Sequence, residues 1–128
     1  MTLLWARWRY KINKRSIGTA FEEISAKYLI SKGYRILEKN FRSRTSEIDI
    51  IAYKDGTIIF CEIKYRSGSD YGDALEAVDI RKQKKICHAA RFFYMCRGYS
   101  ENMPCRFDVI AIYGDKGIKH IENAFDFI

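Results

Sequence analysis

The chain contains a single proline, Pro104, and no apolar run that approaches the roughly 20 residues needed to span a bilayer. Charged residues make up 30% of the sequence and hydrophobic residues 48%, which argues against a disordered or low-complexity chain. Arg7 and Arg9 interrupt the beginning of the chain, so it lacks a continuous apolar signal segment. We therefore expect a cytoplasmic protein without membrane contact and, at 128 residues, a single domain.

Paired cysteine motifs are also missing. The four cysteines, at positions 61, 87, 96 and 105, show no CxxC spacing. This favours free thiols in a reducing cytosol over a zinc site or disulfide bonds. The sequence contains no internal repeat either, so we predict the secondary structure and the site residues from local residue patterns.

Positive charge, by contrast, is in excess, with a formal net charge of +7. Such an excess predicts a polyanionic partner, and a nucleic acid fits best. A solvated basic surface is the alternative for any one cluster of basic residues. The residues that we expect to contact phosphates are Arg42, Arg44 and Arg66, near the second and third predicted strands, and Lys82, Gln83 and Lys85, on a predicted helix.

Alternating and helical patterns predict two helices and five strands. The helices are expected at residues 18–32 and about 74–97, and the strands at residues 34–38, 47–51, 58–64, 107–113 and 118–121. The order α-β-β-β-α-β-β implies an α/β or α+β sandwich with a central mixed sheet flanked by helices. On the first helix, the apolar face is expected to contain Ile17, Phe21, Ile24 and Tyr28.

Asp49, Glu62 and Lys64 are the residues that most strongly indicate chemistry. The second and third strands are joined by Asp55-Gly56, which predicts a hairpin. Glu62 and Lys64 are two residues apart, so they point to the same face, and Asp49 can lie beside them on the neighbouring strand. Two carboxylates and an ammonium group then meet. This arrangement can hold a hard divalent cation next to a phosphodiester.

The alternative is a solvated Glu–Lys pair on an exposed face. Ile58 and Phe60 share the face of Glu62, however, and a face that begins apolar and ends ionic favours a partly buried site. Glu22 adds a weaker indication, because it lies one and two turns before Ala26 and Leu29 on the first helix. It either lies near the site or is a boundary glutamate that reaches water.

Nearly all of the chain after residue 17 carries motifs that occur together. They are Gly18…Glu22, Gly33-Tyr34-Arg35-Ile36-Leu37, Glu47-Ile48-Asp49-Ile50-Ile51-Ala52, Phe60-Cys61-Glu62-Ile63-Lys64-Tyr65-Arg66, Tyr71-Gly72, Arg106-Phe107-Asp108-Val109-Ile110 and Ile121-Glu122-Asn123-Ala124-Phe125. The set resembles the YraN-like family of small bacterial proteins, which belongs by fold to the restriction-endonuclease-like, PD-(D/E)XK nuclease superfamily.

The resemblance implies an endonuclease-like domain over residues 18–128, with residues 1–17 as a basic and aromatic extension. It implies that Asp49 and Glu62 are metal ligands, that Lys64 lies beside the attacking water, and that Glu22 supports the metal site. The family usually has glycine where this chain has Phe21 and Ser46. Both differences affect how closely a substrate can approach the backbone.

The predicted function is metal-dependent hydrolysis of phosphodiester bonds in DNA, branched or single-stranded, or in RNA, with DNA favoured. Asp49, Glu62 and the backbone carbonyl of Ile63 would hold Mg²⁺ or Mn²⁺, and no further small-molecule cofactor is expected. Two alternatives stay open. One is a nucleic-acid-binding protein of nuclease fold with little or no catalytic activity, and the other is an interaction module whose acids only pair with Lys64.

Overall fold

The computed structural model describes residues 18–66, 78–114 and 117–128. The predicted N-terminal extension, and with it Ile17, lies outside these residues. The described elements follow the order α-β-β-β-α-β-β, which confirms the predicted fold class. They are helix α1 (residues 18–31), strands β1 (Arg35–Arg42), β2 (Glu47–Lys54) and β3 (Thr57–Arg66), helix α2 (Ile80–Arg97), and strands β4 (Cys105–Tyr113) and β5 (Ile118–Phe125).

The five strands form one mixed sheet in the order β1-β2-β3-β4-β5. All neighbours are antiparallel except β3 and β4, which run parallel. The β2–β3 connection is the tight turn that the sequence predicts, because Asp55 and Gly56 both have positive φ angles, of 50° and 77°. Two such residues make a turn whose twist matches that of the flanking strands.

The sheet is covered on both faces. On one face, Ile86 and Phe93 of α2 belong to a cluster with Ile58 and Phe60 of β3. On the other face, Leu29 of α1 packs in a second cluster, whose strand residues are Ile50, Ala52, Ile59, Cys61 and Ile110. Successive residues of β3 thus alternate between the two cores, as the pleat of a strand requires.

The structure corrects the predicted apolar face of α1. Ile24 is 43% exposed, whereas Ser25, Ala26 and Leu29 are buried. The row that contains Glu22, Ala26 and Leu29 therefore faces the sheet. Small side chains at positions 25 and 26 let the helix approach the strands closely, and a pattern based on hydrophobicity alone favours the larger Ile24 instead.

The predicted helix over about residues 74–97 is also corrected, in the part that the structure describes; residues 74–77 lie outside it. Val78 and Asp79 are not helical, and the helix begins at Ile80. Asp79 has an extended backbone, and its side chain accepts a hydrogen bond from the N–H of Lys82, so it is the N-cap. All five strands are also longer than predicted; β1 continues to Arg42 and β5 to Phe125.

Two further observations concern the cysteines and the length of the helices. The four cysteines are free thiols. None of the helices in the described parts of the chain is long and apolar enough to cross a membrane.

Candidate active site at the separation of two strands

The candidate site lies where the β2–β3 hairpin opens. Pairing of β2 with β3 runs from the turn as far as Ile50 and Cys61 and ends there, although both strands continue. Beyond that point β2 stays paired with β1, and β3 stays paired with β4. The two halves of the sheet therefore separate. The opening, which we call the notch, is formed by Asp49, Glu62, Ile63 and Lys64.

Asp49 binds a backbone donor that the opening leaves without a strand partner. Its Oδ2 accepts a hydrogen bond from the N–H of Ile63 at 2.9 Å. In a closed ladder, that amide would bond a carbonyl of the neighbouring strand. The hydrogen bond fixes the carboxyl group of Asp49 in the notch, next to that of Glu62.

The acidity of Asp49 reflects this position. Burial and the neighbouring charge of Glu62 raise the pKa of Asp49 from 3.8 to about 7, although the hydrogen bond from Ile63 acts in the opposite direction. Within the described residues, no lysine or arginine forms an ion pair with Asp49. Two carboxyl groups in one site cannot both ionise readily unless a positive charge joins them.

Glu62, in contrast, already has two cationic neighbours. Its Oε1 lies 3.5 Å from Nζ of Lys64 and 3.6 Å from Nζ of Lys82. The side chain of Glu62 is only 7% exposed, whereas those of the two lysines are 26% and 34% exposed. Lys82 lies in the first turn of α2, so this helix brings a second ammonium group to the notch from outside the sheet.

Glu22 lies near the notch but is not part of a carboxylate cluster. Its Oε2 accepts a hydrogen bond from Nδ2 of Asn40 at 2.9 Å. Across the described residues, no group of three or more His, Cys, Asp and Glu side chains could hold a metal ion. Glu22 and Asp49 do share the wall of one cavity of about 210 Å³, lined by Gly18, Phe21, Glu22, Asp49, Ile63 and Tyr65.

The residues predicted to contact phosphates are dispersed. Arg42 pairs with exposed Glu47 at 3.4 Å, and Arg44 is exposed in the β1–β2 turn. Gln83 donates from Nε2 to the carbonyl of Val78, so its amide shapes the start of α2. Only Lys82 of the predicted set contacts the notch directly. The remaining two, Lys85 and Arg66, are exposed and half-buried, respectively.

Sequence reasoning missed a second polar centre. Asp108 on β4 is buried. It accepts hydrogen bonds from Nε of Arg106 and from the backbone N–H of Asn123, both at 3.0 Å, and it forms a third hydrogen bond, of 2.7 Å, with Nε2 of His120. Burial alone would raise the pKa of Asp108, but these hydrogen bonds outweigh it and lower the pKa. His120 in turn bonds the hydroxyl of Tyr28 on α1.

One signal could have indicated this centre. Asp108 is the only charged residue in the apolar run from Phe107 to Tyr113, and a buried charge requires partners. The identity of those partners could not be read locally, because Tyr28 and His120 are separated by 92 positions in the chain.

Comparison with known proteins gives the relationship of the chain. The model of the Uncharacterised protein family UPF0102 matches residues 21–112, which include all the residues of the notch. The chain belongs to the UPF0102 family. This is the YraN-like family that the sequence resembles.

Relatives within the UPF0102 family are similar along most of their length. A UPF0102 protein of Lachnoclostridium phytofermentans is 40% identical over 115 residues, covering 90% of this chain and 97% of the relative. UPF0102 proteins of Clostridioides difficile and Prosthecochloris aestuarii are 44% and 45% identical and cover 89% and 85% of this chain, and 100% and 92% of the relatives. The shared region thus contains the fold and the notch, whereas the family description assigns no activity.

Proposed function

We propose that this UPF0102 protein is a metal-dependent nuclease that hydrolyses phosphodiester bonds, with the notch as its active site. The observation that carries the proposal is the pair of adjacent, largely buried carboxyl groups of Asp49 and Glu62 at the separation of β2 and β3. A burial this unfavourable for Asp49 is explained if the native site contains a cation. The excess of positive charge on the chain supports a polyanionic substrate.

The donor set of the notch fits Mg²⁺ or Mn²⁺. Asp49 and Glu62 offer two carboxylates. The carbonyl of Ile63 is a third oxygen donor, because the N–H and C=O of one residue in a strand point to the same side. Mg²⁺ typically binds through one or two carboxylates and retains several waters, so a third carboxylate is not required. A bound divalent cation supplies polarisation of the phosphate and a more acidic water.

The chain's own residues then have distinct roles. Asp49 and Glu62 hold the cation, and the hydrogen bond from the Ile63 amide orients Asp49. Lys64 and Lys82 are ammonium donors on the α2 side of the notch, where they can bind phosphate oxygens and stabilise the negative charge that develops there. We assign Lys64 to charge stabilisation rather than to proton abstraction, because its ammonium group pairs with Glu62 and can donate hydrogen bonds but not accept a proton.

One observation favours the second candidate, a nucleic-acid-binding protein with little or no cleavage. Two lysines already neutralise Glu62 without any metal ion. Asp49 has no such partner among the described side chains, and this difference makes the enzyme the stronger candidate.

The test is a panel of labelled DNA and RNA substrates, single-stranded, duplex and branched, incubated with Mg²⁺ or Mn²⁺. We expect cleavage by the wild type and a loss of at least about 100-fold in Asp49→Asn and in Glu62→Gln, since each removes a charge that holds the metal. Glu38→Gln is the matched control, because Glu38 lies on β1 and pairs with Arg97 instead of with a residue of the notch.

Two results would decide against the enzyme. Binding by the wild type without cleavage of any substrate would establish the second candidate instead. Cleavage that persists undiminished in both Asp49→Asn and Glu62→Gln would show that the notch is not the active site.

A further inference from the structure

A surface pair of aromatic rings lies next to the notch. Phe21 of α1 and Tyr65 of β3 stack with their ring centroids 4.4 Å apart and an interplanar angle of 15°. Tyr65 remains 44% exposed although one of its faces is covered by Phe21. The ring is therefore held in a fixed orientation while part of its surface is still in contact with solvent.

The stack and the proposed ligands share one cavity. Phe21 and Tyr65 line it together with Asp49 and Ile63. Tyr65 is two residues beyond Ile63 on β3, so both side chains point to the α1 side of the sheet, away from Lys64. A substrate whose phosphate lies in the notch would thus have the cavity on one side and the two lysines on the other.

The size of the cavity limits what it can accept. At about 210 Å³ it is smaller than the roughly 300–1,000 Å³ of sites that enclose a complete small-molecule ligand. One planar group can enter it beside the ring of Tyr65. In a nucleic acid attached to the notch through its phosphate, that planar group is a nucleobase.

From these positions we infer that the Phe21–Tyr65 stack binds one unpaired nucleobase next to the scissile phosphate, so that the enzyme selects single-stranded nucleic acid. This inference rests on the proposed function. A base inside a duplex is paired and stacked on its neighbours and cannot reach an aromatic side chain without being extruded. Stacking on aromatic rings is tolerant of sequence, because every base has a π-face. The selection is therefore for strand state rather than for sequence.

The experiment measures binding of a fluorescent oligothymidylate and of a blunt duplex of the same length, in the Glu62→Gln background with a chelator, so that nothing is cleaved. Tyr65→Leu should weaken single-strand binding about 5- to 150-fold, the range for loss of one stacked base, and change duplex binding by less than about twofold. Phe127→Leu is the matched control, because Phe127 is 42% exposed but contacts Phe107 and Arg91 instead of the notch. It should bind both probes as the Glu62→Gln parent does.

Tyr65→Trp keeps the inference testable if the leucine variant does not fold, as judged by thermal melting. A larger ring should bind the single strand as tightly as tyrosine or more tightly. Unchanged single-strand binding in Tyr65→Leu, an equal loss on both probes, or clearly weaker single-strand binding in Tyr65→Trp would overturn the inference while leaving the nuclease proposal intact. If the Glu62→Gln protein binds neither probe, either with the chelator or with Ca²⁺ in its place, the proposed function fails first, and the inference with it.

Discussion

Replacement of Asp108 by alanine should reduce the free energy of unfolding by about 3–5 kcal/mol, the usual cost of breaking a buried ion pair. The side chain of Asp108 is fully buried, and three groups depend on it: Arg106, His120 and the N–H of Asn123. Arg106 is 25% exposed and can partly turn to water, so the cost should lie towards the lower end of this range. The side chain of His120 is only 7% exposed and loses its acid partner, and the backbone N–H of Asn123 loses its acceptor.

Equilibrium unfolding in urea measures this cost directly, as a shift of the midpoint at constant slope. Glu122→Gln is the control, because Glu122 contacts the same Arg106 at 3.7 Å but is 61% exposed, and its loss should cost no more than about 1 kcal/mol. Since domains of this kind are stable by roughly 5–15 kcal/mol, the difference between the two variants is large enough to measure. A cost below about 1 kcal/mol for Asp108→Ala would show that the network contributes little to stability.

Three further predictions concern pH, metal and salt. The pKa of Asp108 is lowered in the folded state, so the unfolded chain binds more protons in the acid range. The free energy of unfolding should therefore fall as the pH drops below about 4, and it should fall less steeply in Asp108→Asn. Thermal melts at a series of pH values measure this difference. Mn²⁺ at 100 times its dissociation constant should stabilise the wild type by about 2.7 kcal/mol, and an equal shift of the melting temperature in Asp49→Asn would contradict the assigned ligand. Nucleic-acid affinity should fall steeply as the salt concentration rises. On duplex DNA, the slope of log affinity against log salt concentration should be reduced by up to about 1.8 in the double variant Lys82→Ala, Lys85→Ala, and by less in Lys84→Ala. An unchanged slope in the double variant would place the binding surface elsewhere.

Local sequence signals predicted the elements of the fold well. The alternation in β2 and β3 and the Asp55-Gly56 turn are features of neighbouring residues, and the structure contains the hairpin that they indicate. Of the predictions that failed, the apolar face of α1 depends on packing at a distance, and the start of α2 depends on a local cap. Whether Ile24 or Ala26 faces the sheet is decided by how closely α1 approaches the strands. The start of α2 is decided by the cap at Asp79, a single residue that periodicity does not register.

For the site, strand parity placed Glu62 and Lys64 on one face, next to Ile58 and Phe60. The separation of β2 from β3 could not be predicted, because it arises from each strand following a different neighbour. Nor could the arrival of Lys82, which depends on how α2 crosses the sheet. A cytoplasmic location, the preference for DNA over RNA, and the role of residues 1–17 stay predictions.

The charges in the notch have a consequence for the order of binding. Two carboxylates are matched by two ammonium groups, so the four side chains sum to zero when all are ionised. Occupation by a divalent cation makes the proposed site positive, and a phosphodiester is then attracted to charge that the protein alone does not provide. Metal and nucleic acid should therefore bind with positive coupling. By thermodynamic reciprocity, nucleic acid should also tighten the binding of the metal by the same factor.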